Sequence, residues 1–477
     1  MKKIIYTSLF LTGGLLLTSC RKDFTETQFF QSKQAEPLKT VEEASSFVNG
    51  TYAQMRAMSY LGAYYLAYGE VRSDEIYNDT SVGRFRAESL YTMDANNGNA
   101  RDTWTTIYGV IANINNVINA PDNLSSQKAG GGAANPSEVK AIKAQAYAIR
   151  GMAFFDLLRL YGQKYTGGTL GVPLPLQYNA LANTTRPTIE QTEAQIEADF
   201  NMAIQLFQEA ATAQRKTLAG LVNTTDKTKL SPMAVKAYQS RFYLYKGDWD
   251  KVATLSKEII DSRKYEVVPA ADLSASFVKP NTSNSIFELA VGVSGSLGAS
   301  GYGYLFNSGG YGTLLPTDYA LSLFDNADAR RNLFAGNSRV GYFLNGKFSD
   351  LQSQSNLKLV RYEEVLLNAA EAYLNKGDQA TALNYYNRLR AQRGFTAAPA
   401  TSLTMEELKK ERLRELLGEG FRYWDLLRWG DAVPQYEITG AVDPAKNRTV
   451  PNKAFAFPIP QAERNSEYSN VPQNDGY

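Results

Sequence analysis

Tyr243-Leu244-Tyr245-Lys246-Gly247-Asp248 and Tyr373-Leu374-Asn375-Lys376-Gly377-Asp378 repeat one phrase, and its reading decides the fold. Each copy follows a run rich in small residues, Ala237 and Ser240 in one case and Ala369, Ala370 and Ala372 in the other, and each precedes a second helical run. Small side chains let two helices approach closely, and Gly-Asp makes the turn between them. Two hairpins are thereby expected over Ala234 to Ile260 and Tyr362 to Arg393, on the logic of tetratricopeptide-like helix pairs that bury their apolar stripes only against neighbours. Working outward, Ser137 to Tyr161 with Glu190 to Ala210, and Val41 to Met58 with Asp102 to Asn119, offer two further pairs. In the longest of these runs Ile142, Ala146, Ile149, Ala153, Leu157 and Leu160 share one helical face. Asn135-Pro136 supplies an N-cap and a first-turn proline, and Gly162 is placed to end the helix. The expected fold class is mainly α, a tetratricopeptide-like helical scaffold of about four helix pairs.

Two segments break this pattern. Leu297 to Gly312 carries Gly298, Gly301, Gly303, Gly309, Gly310 and Gly312 between Tyr302, Tyr304, Phe306 and Tyr311, which no stable helix tolerates. It has neither GxGxxG order nor a Walker Lys-Ser/Thr pair, so it reads as an aromatic-bearing loop and not as a phosphate cradle. The run Ala129 to Ala134 reads as a flexible surface linker. Near the end, Thr404-Met405-Glu406-Glu407 has the form of a capping box opening a helix through Leu408, Leu413, Leu416 and Leu417. After Gly418-Glu419-Gly420, the aromatics Phe421, Trp424 and Trp429 alternate with Arg422, Asp425 and Arg428, the pattern of ion pairs and rings pinning a helix to the body.

The 477 residues are 44% hydrophobic and 21% charged, a composition that folds. One Cys and no His remove Ser-His-Asp and Cys-His relays, His-ligated metals, disulfides and thiolate zinc sites. With 50 basic and 48 acidic residues, the formal net charge of +2 gives no reason to expect nucleic acid as a partner. Lys2 and Lys3 lead into the apolar stretch Ile4 to Leu17, too short for a spanning helix and suited to a signal peptide. It ends in Leu17-Thr18-Ser19-Cys20, the form of a lipobox, so residues 1–19 read as a lipoprotein signal peptide and Cys20 as the lipidated residue. The alternative is an ordinary secretory signal with a chance Cys. Acyl chains contribute about 0.8 kcal/mol per buried methylene, so a multiply acylated Cys20 would hold the protein stably at a membrane. Residues 20–40 then form a polar tether.

Taken in order, these pieces resemble the SusD/RagB family of outer-membrane nutrient-uptake lipoproteins. The resemblance rests on the lipobox, on Arg150-Gly-Met-Ala-Phe-Phe-Asp-Leu-Leu-Arg-Leu-Tyr-Gly162, on Arg361-Tyr-Glu-Glu-Val-Leu-Leu-Asn-Ala-Ala-Glu371, on Glu411 to Gly430, and on Phe457-Pro-Ile-Pro-Gln461 with the closing Pro472 to Tyr477. One departure is Gln163 to Gly171, where the family turns more directly, implying a longer surface loop. The resemblance implies a helical scaffold on one side and an irregular, loop-rich, ligand-facing side on the other. It divides the chain into an N-terminal helical part (41–270), a loop-rich insertion (271–355) and a C-terminal part (356–477), packed as one globular body. It further implies no enzymatic activity, no cofactor, a SusC-like TonB-dependent transporter as partner, and a lipid-anchored, surface-exposed position on the cell outer membrane.

The function expected is capture of an oligosaccharide and its delivery to that transporter, with peptide capture as an alternative on the same fold. The 30 Tyr and 4 Trp suit sugars, because flat rings pack on apolar sugar faces while polar groups fix the hydroxyls. Tyr302, Tyr304 and Tyr311 on the Gly-rich loop are one candidate platform; Asp74, Tyr77, Asn78 and Arg84, following the Tyr60 to Tyr68 aromatic run, are another. The competing reading is an anchored glycoside hydrolase using paired carboxylates, the broad hydrolytic chemistry that needs neither His nor Cys. Against it, acids such as Glu407, Glu411 and Glu415 at spacing four, beside Lys410 and Arg414, read as a solvated or ion-paired face. No catalytic residue and no metal ligand is assigned, since no DxDxDG-like calcium loop is present.

Overall fold

Both Gly-Asp phrases close the same turn. In the computed structural model, which describes residues 37–79, 83–177, 184–337, 341–437 and 439–477, the amides of Gly247 and Asp248 donate to the carbonyls of Leu244 (3.1 Å) and Tyr243 (3.0 Å). Those of Gly377 and Asp378 donate to Leu374 (3.1 Å) and Tyr373 (2.9 Å). Gly247 and Gly377 sit at φ +75° and +80°, the left-handed conformation that only glycine adopts cheaply. Asp248 and Asp378 then accept from the amides of Lys251 and Thr381 as N-caps of the following helices. One dipeptide ends a helix and starts the next.

Ten helices of eight or more residues occur among the described residues: α1 (Val41–Met55), α2 (Gly98–Ile118), α3 (Pro136–Tyr161), α4 (Ile189–Ala213), α5 (Pro232–Lys246), α6 (Trp249–Asp261), α7 (Tyr362–Asn375), α8 (Gln379–Arg390), α9 (Met405–Leu416) and α10 (Arg422–Trp429). From α1 to α8 each helix packs on the next, so the expected pairs run on as one array, with α3 against α4 the most extensive contact. The fold is mainly α.

All six stripe residues of α3 are buried, and Asn135 and Pro136 start the helix as expected. The stripe underestimates the burial, however, because every residue from Ala148 to Tyr161 is buried. A helix enclosed by neighbours on all sides must partner its polar groups internally. Arg150 accordingly forks onto Asp199 (2.9 and 2.7 Å) and reaches Asn115 (2.9 Å). Asp156 accepts the hydroxyls of Tyr60 and Tyr65, both at 2.6 Å, and Arg159 at 2.8 Å.

The Gln163 to Gly171 loop is tied to the body, since Gln163 and Tyr165 are buried, Gln163 donates to Asn474 (3.1 Å), and the Tyr165 carbonyl accepts from Asn452 (2.9 Å). One local expectation is corrected. At Thr404 only half of the capping box forms. The Thr404 hydroxyl accepts from the Glu407 amide (3.2 Å), while the Glu407 carboxylate turns to Tyr386 (2.8 Å) and Arg414.

Among the described residues six short strands pair antiparallel in twos: β1 (Ile76–Asn78) with β3 (Leu314–Pro316), β2 (Ser285–Leu289) with β6 (Leu357–Arg361), and β4 (Ala335–Asn337) with β5 (Gly341–Phe343). The β2–β6 pair clamps the two ends of the loop-rich excursion that includes the Gly-rich segment, and β6 runs directly into α7. Leu38–Tyr477 form one compact unit. The proposed signal peptide and Cys20 lie outside the described residues, and no helix among those described is long and apolar enough to cross a membrane.

The excursion is tied to the array by buried charge. Glu415, at the end of α9, accepts from Arg393 (2.8 and 2.9 Å), from Arg361 (3.1 Å) and from Arg330 (3.1 Å). Arg330 also forks onto Asp328 and reaches Glu411 (2.9 Å), and Arg361 reaches Glu419 (2.8 and 2.6 Å). The Glu411 and Glu415 side chains are 1% exposed, so this helix face is ion-paired and not solvated. Burial alone would push the Glu415 carboxyl up, but Arg393, Arg361 and Arg330 hold it well below the usual carboxylate range. Downstream, Arg428 pairs with Glu371, Asp425 with Arg412 and Arg428, and Arg422 with Asp74, as the pinning pattern anticipates.

The Gly418-Glu419-Gly420 turn gathers the rest. Glu75 accepts from the Gly418 amide (3.2 Å), Glu70 accepts from the Gly420 amide, and the Tyr302 hydroxyl donates to the Gly418 carbonyl (3.2 Å). Lys347 donates to the Leu417 carbonyl and to Glu419, both at 2.6 Å. Glu70 and Glu75 are fully enclosed, and burial together with the adjacent Glu70 pushes the Glu75 carboxyl well above its ordinary range.

Replacing Glu415 with Gln leaves three buried arginines short of charge and is expected to cost about 3–5 kcal/mol in chemical denaturation at neutral pH. Because the folded value is depressed, this contribution is full above the unfolded carboxyl value of about 4.3 and is lost as pH falls, so the gap between the two proteins narrows in acid. A gap independent of pH contradicts the assignment. Glu75 has the opposite sign. Its raised folded value makes the native state bind the extra proton, so its penalty grows as pH climbs above about 4.3. Thermal melts of Glu75→Gln should show a flatter loss of stability between about pH 5 and pH 8 than the parent; an unchanged slope contradicts it.

Candidate functional site

The β1–β3 pair brings the two predicted clusters together. Its register sets Ile76 opposite Pro316, Tyr77 opposite Leu315 and Asn78 opposite Leu314, and the pairing continues through Asp79 N–H to the Thr313 carbonyl (2.8 Å) and Thr317 N–H to the Glu75 carbonyl (3.0 Å). Strand alternation turns Ile76 and Asn78 inward and leaves Tyr77 half-buried on the other face.

At one end of the pair stand Arg84, Tyr304 and Tyr311. The Arg84 guanidinium carbon lies 4.7 Å from the centre of the Tyr311 ring, a cation–π contact. The rings of Tyr304 and Tyr311 meet edge to face at 5.0 Å and 77°, held by the Tyr311 amide on the Tyr304 carbonyl (2.8 Å). Gly310 is required between them, since a Cβ there would lie 2.4 Å from that carbonyl. Asn78 fixes the segment from below by donating to the Arg84 carbonyl (2.6 Å). Tyr311 is 45% exposed, high for so large a ring. The product is a rigid aromatic surface flanked by hydrogen-bond donors.

The other end opens into a cleft of about 370 Å³ lined by Asp74, Tyr319, Lys409, Lys410, Arg422 and Asp431 among others. Asp74 is not free there: Arg422 forks onto its carboxylate at 2.6 and 2.8 Å. Lys409 pairs with Asp431 (2.7 Å) and Lys410 with Glu406 (2.7 Å). Tyr319, 39% exposed, forms an aromatic wall over these pairs. Tyr77 packs close against the backbone of Gly440, where a Cβ would approach its ring to 3.1 Å.

Of the seven predicted side chains, then, Arg84, Tyr304 and Tyr311 share a patch, Asp74 lines the cleft, and Tyr77 packs at Gly440. Tyr302 and Asn78 do not join this exposed surface, because each is 4% exposed. Tyr302 instead packs against Phe306 and Phe348 (5.0 and 5.6 Å between ring centres). Tyr319, Lys409 and Lys410 were missed. Tyr319 follows a Thr-Asp helix start, and only the fold sets it over Asp74. Among the described residues no group of three or more His, Cys, Asp or Glu is arranged to hold a metal ion.

Comparison with known proteins bears on identity. Residues 324–477 match the SusD family model, and residues 48–244 match the model described as starch-binding associating with outer membrane. SusD-like protein P2 of Formosa agariphila is 24% identical over 537 aligned residues that span the whole of both chains. A SusD superfamily protein from Bacteroides thetaiotaomicron VPI-5482 superposes with a TM-score of 0.78 at 28% identity, covering 91% of this chain and 99% of that one. Another, from Bacteroides vulgatus ATCC 8482, gives 0.77 at 26% identity, covering 92% and 100%. Residues 48–244 and 324–477 match family models, and 91% of the chain superposes on a solved member: the chain belongs to the SusD/RagB family.

Proposed function

We propose that this protein is a cell-surface glycan-binding lipoprotein that captures an oligosaccharide and delivers it to a SusC-like, TonB-dependent transporter of the outer membrane. The observation that carries the reading is the exposed Tyr311 ring, braced by Tyr304 and backed by Arg84, with a second exposed ring, Tyr319, at the opposite end of the β1–β3 pair above a cleft of paired charges. Rings held rigidly lose little entropy when a sugar face packs on them, and nearby charged groups offer partners for hydroxyls. The match over residues 48–244 to a family described as starch-binding and associating with the outer membrane supports both the ligand class and the location. The Leu17-Thr18-Ser19-Cys20 pattern supports a lipid anchor.

The protein is a binding protein and not an enzyme. The acids with the most perturbed surroundings fit this: Glu411, Glu415 and Glu371 are taken up by arginines, and Glu70 and Glu75 are enclosed.

A glycan array probed with protein lacking residues 1–20, followed by calorimetry on the best oligosaccharide, tests the proposal. Tyr311→Ala and Tyr319→Ala should each weaken binding about tenfold, the equivalent of about 1.4 kcal/mol, while Tyr302→Phe leaves affinity unchanged. Equal affinity in all three variants removes these rings from the site, and binding confined to a peptide library transfers the proposal to peptides.

A further inference from the structure

A cavity of about 100 Å³ lies between the end of α1, the Gly-rich segment and the strand β6, and shares none of Tyr77, Arg84, Tyr311 or Tyr319. Its walls are largely apolar, with Leu66, Phe277, Val291, Leu297, Tyr302 and Phe348 among them, and polar groups complete the lining. Phe348 stacks on Phe306 at 4.8 Å and meets Tyr302 edge-on, so the wall is fixed.

The charged groups around the cavity are satisfied, with one exception. Lys347 is held by Glu419 and the Leu417 carbonyl, both at 2.6 Å, and Lys358 by Glu288 (2.6 Å) and the Lys279 carbonyl (2.7 Å). The Asp350 carboxylate is occupied by the amides of Gln354 (2.7 Å) and Ser355 (2.6 Å) and the Ser355 hydroxyl (2.7 Å). Among the described residues Arg56 donates only to the Ala290 carbonyl (2.8 Å) and has no carboxylate partner. Its guanidinium lies directly on Gly295, 2.6 Å from where a Cβ there would stand, and both residues line the cavity.

We propose that this cavity is a second binding site, specific for a small hydrophobic carboxylate whose apolar body enters between Phe277 and Phe348 and whose anionic head meets Arg56. The Leu66, Phe277, Val291, Leu297 and Phe348 side chains favour an apolar body. A half-buried guanidinium without a counter-charge favours a carboxylate that it can bind in bidentate fashion. The size agrees: an engineered apolar cavity of about 150 Å³ encloses benzene completely, and this one is smaller but open on one side, where the head group sits.

Benzoate and its neutral counterpart benzamide are the probes, titrated against the purified protein by ligand-observed NMR, with crystals soaked in 4-bromobenzoate to locate the bromine by anomalous scattering. Benzoate should bind saturably and more tightly than benzamide, and Arg56→Met should weaken benzoate about tenfold without changing benzamide. Leu297→Trp, which fills the cavity, should abolish both, and Arg56→Lys substitutes if the Met variant melts early. The bromine peak should fall between Phe277 and Phe348. A bromine peak elsewhere, equal binding of acid and amide, or no saturation up to about 10 mM overturns the proposal.

Discussion

Glu415 draws together three arginines that the sequence spaces far apart: Arg330 from the loop-rich excursion, Arg361 from the junction of β6 and α7, and Arg393 from the turn after α8. A carboxylate with this many guanidinium partners cannot be moved without stranding charge in the interior, which is far more costly than breaking an exposed ion pair. The helical array alone does not say where a glycine-rich excursion should lie. The buried charges do. Through Arg361 and Lys347 the network continues to Glu419, and the turn around Glu419 also receives Glu70, Glu75 and Tyr302. The strand β1 begins directly after Glu75 and β3 begins shortly after the Gly-rich segment, so the two strands that frame the aromatic patch start from anchored residues.

This arrangement explains why an irregular surface can be a precise one. Tyr311 sits on a loop, yet its backbone is bonded to Tyr304, its ring is covered by Arg84, and Arg84 is held through Asn78. Asp74 works in a similar way on the other side, spending its carboxylate on Arg422 and so joining β1 to α10. Residues that a sequence reader would offer to the ligand are in several cases the ones that hold the ligand-facing rings in place.

How much of this was legible depended on the range of the interaction. The Gly-Asp turns were readable because every bond in them lies within a few residues and requires a left-handed glycine followed by an N-capping Asp. The α3 helix was readable from its stripe and its start, but its full enclosure was not, since Arg150, Asp156 and Arg159 look exposed until Asp199, Tyr60 and Tyr65 are brought to them. The acids of α9 showed a spacing that allowed solvent or ion pairs equally. Only Arg330 and Arg393, arriving from other segments, decide between the two. At the site, composition singled out the Gly-rich tyrosines, yet Tyr302 and Tyr311 alternate on the same loop with opposite fates, 4% and 45% exposed. Tyr319 carried no local signal at all, because its role comes from the Asp74–Arg422 pair beneath it.

The central claim is that buried charge around Glu415 and Glu419 sets the geometry of the aromatic surface. Hydrogen–deuterium exchange followed by mass spectrometry, comparing the parent with Glu415→Gln under native conditions, tests it most directly. The account predicts faster exchange not only in α9 but also in the peptides holding the β1–β3 pair, around residues 75–79 and 311–317, while α3 and α4 stay protected. Exchange that changes only within α9 and leaves the β1–β3 amides untouched would contradict it.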